Sequence, residues 1–280
     1  VPATPWQPSQ LQLERERYRR SRTVRSWSIA LVGTAAVATV VVLVVGHSSG
    51  WNRTRDSFFD FGTGWHDLPD LFRALWLNVQ IMLISEAFIL VFAALIAVLR
   101  TLRGPAFFPV RFLCAFYVDL FRGLPFLLVL LLVGFGIPSL RLSGGPTSPM
   151  TLAVIALTLT YTAYVAEVFR AGIESVHPSQ AASARALGLS HAQSMRHVIF
   201  PQAIRRVLPP LLNDFISLQK DTSLASILGV IEIVLTAENF QSQDFKFVHL
   251  VMAGLVFLAL TVPLTRFTDW YARRKGWVIA

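Results

Sequence analysis

The chain is poor in charge and almost devoid of cysteine. Only 15% of its 280 residues are charged, where a soluble domain carries about a quarter. The one cysteine, Cys114, lies inside an apolar run, which excludes an intrachain disulfide framework and a thiolate metal centre. Lysine occurs only after Gln219, Phe245 and Arg274. A phosphate-cradling loop needs Gly-Lys followed by Ser or Thr, so this chain does not bind ATP by that motif. No nucleophile–base set stands at the end of an apolar run, and the histidines lack metal-ligand spacing. What is present is apolar: 54% of residues are hydrophobic and the mean hydropathy is +0.56. The expected class is all-α, a polytopic transmembrane helix bundle in a lipid bilayer. The net charge of +9 would suit nucleic acid, but the basic residues sit at the ends of apolar runs, which argues against a nucleic-acid partner.

A span needs roughly 20 mostly apolar residues. Six runs qualify: 27–45, 71–99, 112–135, 150–169, 204–230 and 247–267. The fifth is interrupted by Asp214, Lys220 and Asp221. With six spans, about 18 basic residues fall on one side and about 4 on the other. The side rich in arginine is expected to be cytoplasmic, with both termini there. Residues 1–26 then form a basic cytoplasmic tail whose first ten residues read as disordered. Residues 27–46 read as a span rather than a cleaved signal peptide. Residues 71–270 form the main transmembrane domain, with a cytoplasmic loop over 171–205.

That loop holds a polar interlude, 180–201. Pro178 and Ser179 are helix-start signals. Residues 180–187 are mostly good helix formers, and Gly188 suits a left-handed stop. Ser190 and Gln193 have capping-box spacing for a second short helix, which Pro201 is expected to end or kink. Ala181, Ala182 and Ala184 present a slim surface, and Arg185 can pair with an acidic partner. Residue types alone fit both an amphipathic helix–turn–helix on the membrane surface and a docking element for another protein. His177, His191 and His197 bracket it as surface residues.

The pattern resembles the cytoplasmic signature of ATP-binding-cassette importer permeases: Glu-Ala-Ala, three residues, Gly, nine residues, then aliphatic-x-Leu-Pro. Ala182, Ser183 and Ala184 take the Glu-Ala-Ala positions, and Gly188, Val198, Phe200 and Pro201 fall at the remaining ones. The glutamate is replaced by Ala182, and Phe200 stands for Leu. Blocks 120–125, 163–173 and 218–229 are similar to segments of polar amino acid permeases. The resemblance implies a five-helix type I importer permease core, extended here by the N-terminal span. It also implies docking through Ala181, Ala182, Ser183, Ala184, Arg185, Gly188 and Pro201 onto a separate ATPase. Two ATPase subunits, binding ATP and Mg, a second permease subunit and an extracytoplasmic solute-binding protein would complete an importer in a bacterial cytoplasmic membrane. No cofactor is expected on this chain.

Ionisable residues inside spans face the protein interior or a pathway. Glu86 lies mid-way along the second span. Asp119 and Arg122 share a helical face and are expected to neutralise each other; Glu167 and Arg170 have the same spacing. Asn213, Asp214, Lys220, Asp221, Thr222 and Ser223 cluster densely enough to line a path. With Glu86, Arg122 and Glu167 they form the candidate substrate pathway: a zwitterionic amino acid needs acceptors for its ammonium and donors for its carboxylate, and the acids together with Lys220, the hydroxyls and a broken helix end supply both. Gly229 and Glu232 mark the exit of the fifth span, before a short outside helix through Thr236. The expected function is import of polar amino acids by alternating access. Import of another small solute, or an ion-coupled transporter, is the alternative.

Overall fold

The computed structural model describes residues 9–274 apart from Ser49, Arg103 and Leu142; most of the segment expected to be disordered lies outside these. The chain divides into two compact units, 1–59 and 60–280. In the first, α1 (Gln10–Gly46) is a single 37-residue helix, followed by α2 (Trp51–Phe58). From Arg25 onward α1 is long and apolar enough to cross a membrane, and its valines and leucines are exposed, as suits a helix that faces lipid. The basic stretch before it is helical from Gln10, continuous with the expected span.

The second unit runs through α3 (Phe61–His66), α4 (Leu68–Thr101), α5 (Phe108–Gly123), α6 (Phe126–Leu131), α7 (Ile137–Ser139), α8 (Pro149–Glu174), α9 (Pro178–Ala186), α10 (His191–Ser194), α11 (Phe200–Asp221), α12 (Ile233–Asp244) and α13 (Val248–Arg274). Helices α4, α8 and α13 are each long and apolar enough to cross a membrane as one unbroken helix. The expected runs 112–135 and 204–230 are not straight. The segment 105–139 bends by 105° between α5 and α6, and 192–244 bends by 50° before α12. The first bend has a local cause. Pro125 lacks an N–H and forces the preceding residue out of helical conformation; Leu124 accordingly has ψ 138°. Six spans remain compatible with the structure when each bent pair counts as one.

The core is built on α8. Its residues Ala153, Ala156, Thr160 and Ala163 recur at helical spacing and are at most 1% exposed. On α4, Ile81, Ser85, Ile89, Ala93 and Ala97 recur every fourth residue and are at most 4% exposed. These two ridges belong to the most extensive helix pair of the unit. Small side chains let backbones approach closely, which is the main source of helix affinity where lipid is as apolar as leucine. A second cluster joins Leu71 and Leu75 of α4 to Ile233 and Ala237 of α12 and Val248, Met252 and Val256 of α13. Helix α11 meets α8 at Gly172, where any Cβ would overlap the Val207 side chain. Away from the core, Asp60 caps α3 and accepts a hydrogen bond from Lys246 Nζ at 2.7 Å. That bond, with those from Thr63, lowers the Asp60 carboxyl from 3.8 to about 2.

Two outcomes are expected. Gly172→Ile should destabilise the bundle by about 1–3 kcal/mol through overpacking, read as a lower thermal unfolding midpoint. Because the folded-state pKa of Asp60 is depressed, the stability it contributes is present above pH 3.8 and lost as pH falls through about 2. Asp60→Asn should therefore lower the midpoint at neutral pH, and the difference should vanish near pH 2.

Candidate functional site

Three arrangements hold the candidate residues: an elbow between α8 and α11, a polar set within the helices, and an ion cluster around Glu167. In the elbow, His177 caps α9, its Nδ1 accepting from Ser179 N at 3.2 Å. Helix α9 ends in a Schellman motif. Gly188 has φ +79°, Leu189 N donates to Ala184 O at 3.1 Å, and Gly188 N donates to Arg185 O at 2.9 Å. The Ser190–Gln193 capping box forms in both directions: Gln193 N donates to Ser190 Oγ at 3.2 Å, and Ser190 N to Gln193 Oε1 at 2.9 Å. Pro201 does not end the second helix. The chain widens into a π-helical turn over Met195–Ile199 and continues as α11, with Pro201 in the first turn, where its missing N–H costs nothing.

The elbow corrects one expectation about its surface. Ala184 is only 3% exposed and faces inward. Ala182, Ser183, Arg185 and Gly188 are exposed, and Ala181 is half-buried over a cavity of about 280 Å³ shared with Ile173, Val176 and Ile199. The Arg185 Nε donates back to Ala181 O at 3.3 Å. The most exposed apolar residue of the elbow is Leu187, at 81%. It was not among the expected site residues, although its place just before the glycine stop puts it at the tip.

Within the helices, Glu86 of α4 and Asp214 of α11 are half-buried carboxylates on two helices that pack against each other. Asp221, two turns beyond Asp214, accepts a hydrogen bond from Tyr161 Oη at 2.8 Å. The Asp214 Oδ2 is buried with no hydrogen-bond partner among the described residues. Asn213 and Lys220 occupy the neighbouring, exposed face of α11. Helix α11 passes at Thr222 into a 3₁₀ segment that ends at Gly229 with φ +84°, so the expected helix break is present. Tyr161 is the residue of this set that the sequence did not single out; an aromatic in an apolar run carries no signal of its own.

Thr222 and Ser223 belong to other connections. Ser223 Oγ donates to Lys220 O at 2.7 Å. Thr222 is fully buried beside Asn78, whose Nδ2 donates to Thr222 Oγ1 at 3.2 Å and to Glu232 Oε2 at 2.9 Å. Glu232, also fully buried, caps α12 by accepting from Val234 N and Leu235 N at 2.9 and 3.0 Å. The short helix expected through Thr236 extends to Asp244.

The remaining pair, Arg122 and Glu167, sits in an ion cluster. Asp119 does not neutralise Arg122: Arg122 Nη1 lies 3.8 Å from Glu167 Oε1. Glu167 also accepts from Arg100 at 3.1 Å and from Arg170 Nε at 2.9 Å, and Arg170 reaches on to Glu174. One carboxylate thus ties α4, α5 and α8 together. No group of His, Cys and carboxylates suited to a metal ion occurs among the described residues.

Residues 104–277 match the family described as Binding-protein-dependent transport system inner membrane component. The chain is 31% identical to the glutamate/aspartate import permease protein GltK of Escherichia coli O157:H7, covering 78% of this chain and 99% of GltK. It is 30% identical to the arginine transport system permease protein ArtQ of Bacillus subtilis, over 74% of this chain and 92% of ArtQ. It is similar in fold to a solved amino acid ABC transporter with histidines, with a TM-score of 0.71, 29% identity, and coverage of 77% of this chain and 98% of that one. The MetNI methionine ABC transporter in an inward-facing conformation shares the fold at a TM-score of 0.61, with 18% identity over 73% of this chain and 95% of that one.

Glu167→Gln leaves three arginines around a neutral amide. It should destabilise the bundle by about 1–3 kcal/mol, a range that allows for partial solvent screening at this site. A thermal unfolding series against Glu167→Asp, which keeps the charge, checks this.

Proposed function

The chain belongs to the binding-protein-dependent transport system inner membrane components, and we propose that it is the permease subunit of an ATP-driven importer for polar amino acids. The observation that carries this reading is the exposed elbow of α9, Gly188 and α10 between two long helices of a chain that matches this family. The permease names carried by GltK and ArtQ, for glutamate/aspartate and arginine, support the cargo class. The energy comes from two ATPase subunits that bind ATP and Mg and grip the elbow through Ala182, Ser183, Arg185 and Leu187. A second permease subunit completes the channel, and an extracytoplasmic binding protein delivers substrate. Both termini lie in the cytoplasm of a bacterial cell, on the same side as the elbow. The N-terminal span at 27–46 is an addition to the five-helix core.

The geometry supplies a lever. Only three residues separate α8 from α9, and α10 runs without a break into α11. Force on the elbow therefore reaches both helices directly, and the Gly172–Val207 contact keeps them moving together. Tyr161 lies on α8 and Asp214 and Asp221 on α11, so the same motion displaces the acidic set. Glu86, Asp214 and Asp221 accept the substrate ammonium, which the carbonyl-bearing C-terminal end of α11 also favours, and Lys220 meets its carboxylate. Rocking of these rigid parts exposes the site to each side in turn.

Reconstitution into liposomes with the cognate ATPase and binding protein should give ATP-dependent uptake of a polar amino acid. Uptake by the lone chain on an ion gradient would overturn the reading. Leu187→Glu, at an exposed position, should leave the unfolding midpoint unchanged yet lower transport about tenfold, because a charge replaces an apolar contact at a desolvated docking surface. Ala184→Trp should instead unfold the elbow, since that side chain points inward.

A further inference from the structure

At the end of the bundle that carries the elbow, α4, α5 and α8 enclose a cavity of about 450 Å³. Its walls include Arg100 at the end of α4, Arg111 and Ala115 on the first turns of α5, and Arg170 and Glu174 on α8. We propose that this cavity binds the phosphate of an anionic phospholipid headgroup. Three observations carry the assignment.

The first is charge. Arg100 and Arg170 are matched by Glu167 and Glu174, but among the described residues Arg111 has no carboxylate within ion-pair distance. Its Nη1 is held by the carbonyl oxygens of Leu102 and Gly104 at 2.8 and 3.1 Å. That fixes the guanidinium in place without neutralising it, and a pre-set guanidinium suits a phosphate oxygen. The second is shape: the three arginines come from three helices and line one concave space, so an anion entering it meets donors from several directions. The third is what lies beside it. Phe108, Phe112 and Phe116 form a stripe on the adjacent face of α5, 61%, 58% and 57% exposed. An acyl chain lies against this stripe while the headgroup turns into the cavity. A free phosphate has no use for the stripe, which is why lipid is the occupant. Basic pockets between membrane helices near the cytoplasmic face hold anionic headgroups by the same physics.

Met195 lines the same cavity and opens the π-helical turn between elbow and α11. The bound headgroup therefore braces the root of the lever against α4 and α5.

Native mass spectrometry of the full chain in detergent tests the site, with phosphatidylglycerol, phosphatidylcholine or inorganic phosphate added. Phosphatidylglycerol should be retained about tenfold more tightly than phosphatidylcholine and less so at high salt. Arg111→Gln and Ala115→Leu should each weaken retention about tenfold, the first by removing charge and the second by filling space. Ala115→Leu leaves every charge and hydrogen bond in place, so it remains informative if Arg111→Gln fails to fold. Equal retention of the two lipids would overturn the proposal, as would wild-type retention in a folded variant. Displacement of phosphatidylglycerol by millimolar inorganic phosphate would assign the cavity to a free anion and also overturn it.

Discussion

The close contact between α4 and α8 is the interaction on which the rest of the bundle depends. In lipid, apolar side chains gain nothing by leaving one hydrocarbon for another, so helices are held by packing and by internal polar contacts. The ridge of Ile81, Ser85, Ile89, Ala93 and Ala97 meets the small residues of α8, and both are hidden from solvent and lipid alike. That sheath lets α8 carry threonines and Tyr161 within the membrane. It also lets the neighbouring segments break. The bend before Pro125, the π turn over Met195–Ile199 and the 3₁₀ run after Asp221 all leave backbone groups that hydrocarbon would not satisfy. Such breaks are tolerated where other helices or a polar path cover them.

The same contact frames the working parts. The elbow is a local structure with its own caps, and its two roots, α8 and α11, are locked together where Gly172 admits Val207. Glu167 fastens α8 to α4 and α5 with Arg100 and Arg122. Near the other end of α4, Asn78 joins the 3₁₀ break to the N-terminus of α12 through Thr222 and Glu232. The acidic set of Glu86, Asp214 and Asp221 thus lies on helices with connections at both ends, an arrangement suited to transmitting a displacement rather than absorbing it.

Legibility from sequence followed the range of the interaction. The Ser190–Gln193 box, the left-handed Gly188 and the helix break after Asp221 depend on residues within one turn of each other, and each was foreseen. Pro201 suits either a terminator or a kink; of these, termination does not occur, because a π turn, which has no simple sequence mark, lets the helix continue. Asp119 and Arg122 have ideal spacing for a pair, but spacing only permits a contact. Glu167 outcompetes Asp119 because it is also held by Arg100 and Arg170, and shared neighbours cannot be read along one helix. The inward turn of Ala184 and the outward turn of Leu187 likewise depend on which face of α9 meets the bundle.

Sequence alone determined that this chain lives in a membrane, where its apolar runs lie, and that one polar elbow interrupts them. These follow from composition and from contacts a few residues long, which the solvent enforces whatever the rest of the chain does. Tertiary structure alone decided which runs stay straight and which charges meet. It brought Tyr161 to Asp221 and placed Asn78 against Glu232, 154 residues away. Those pairings need helices from distant parts of the chain to pack first, because only packing fixes which face of each helix looks inward.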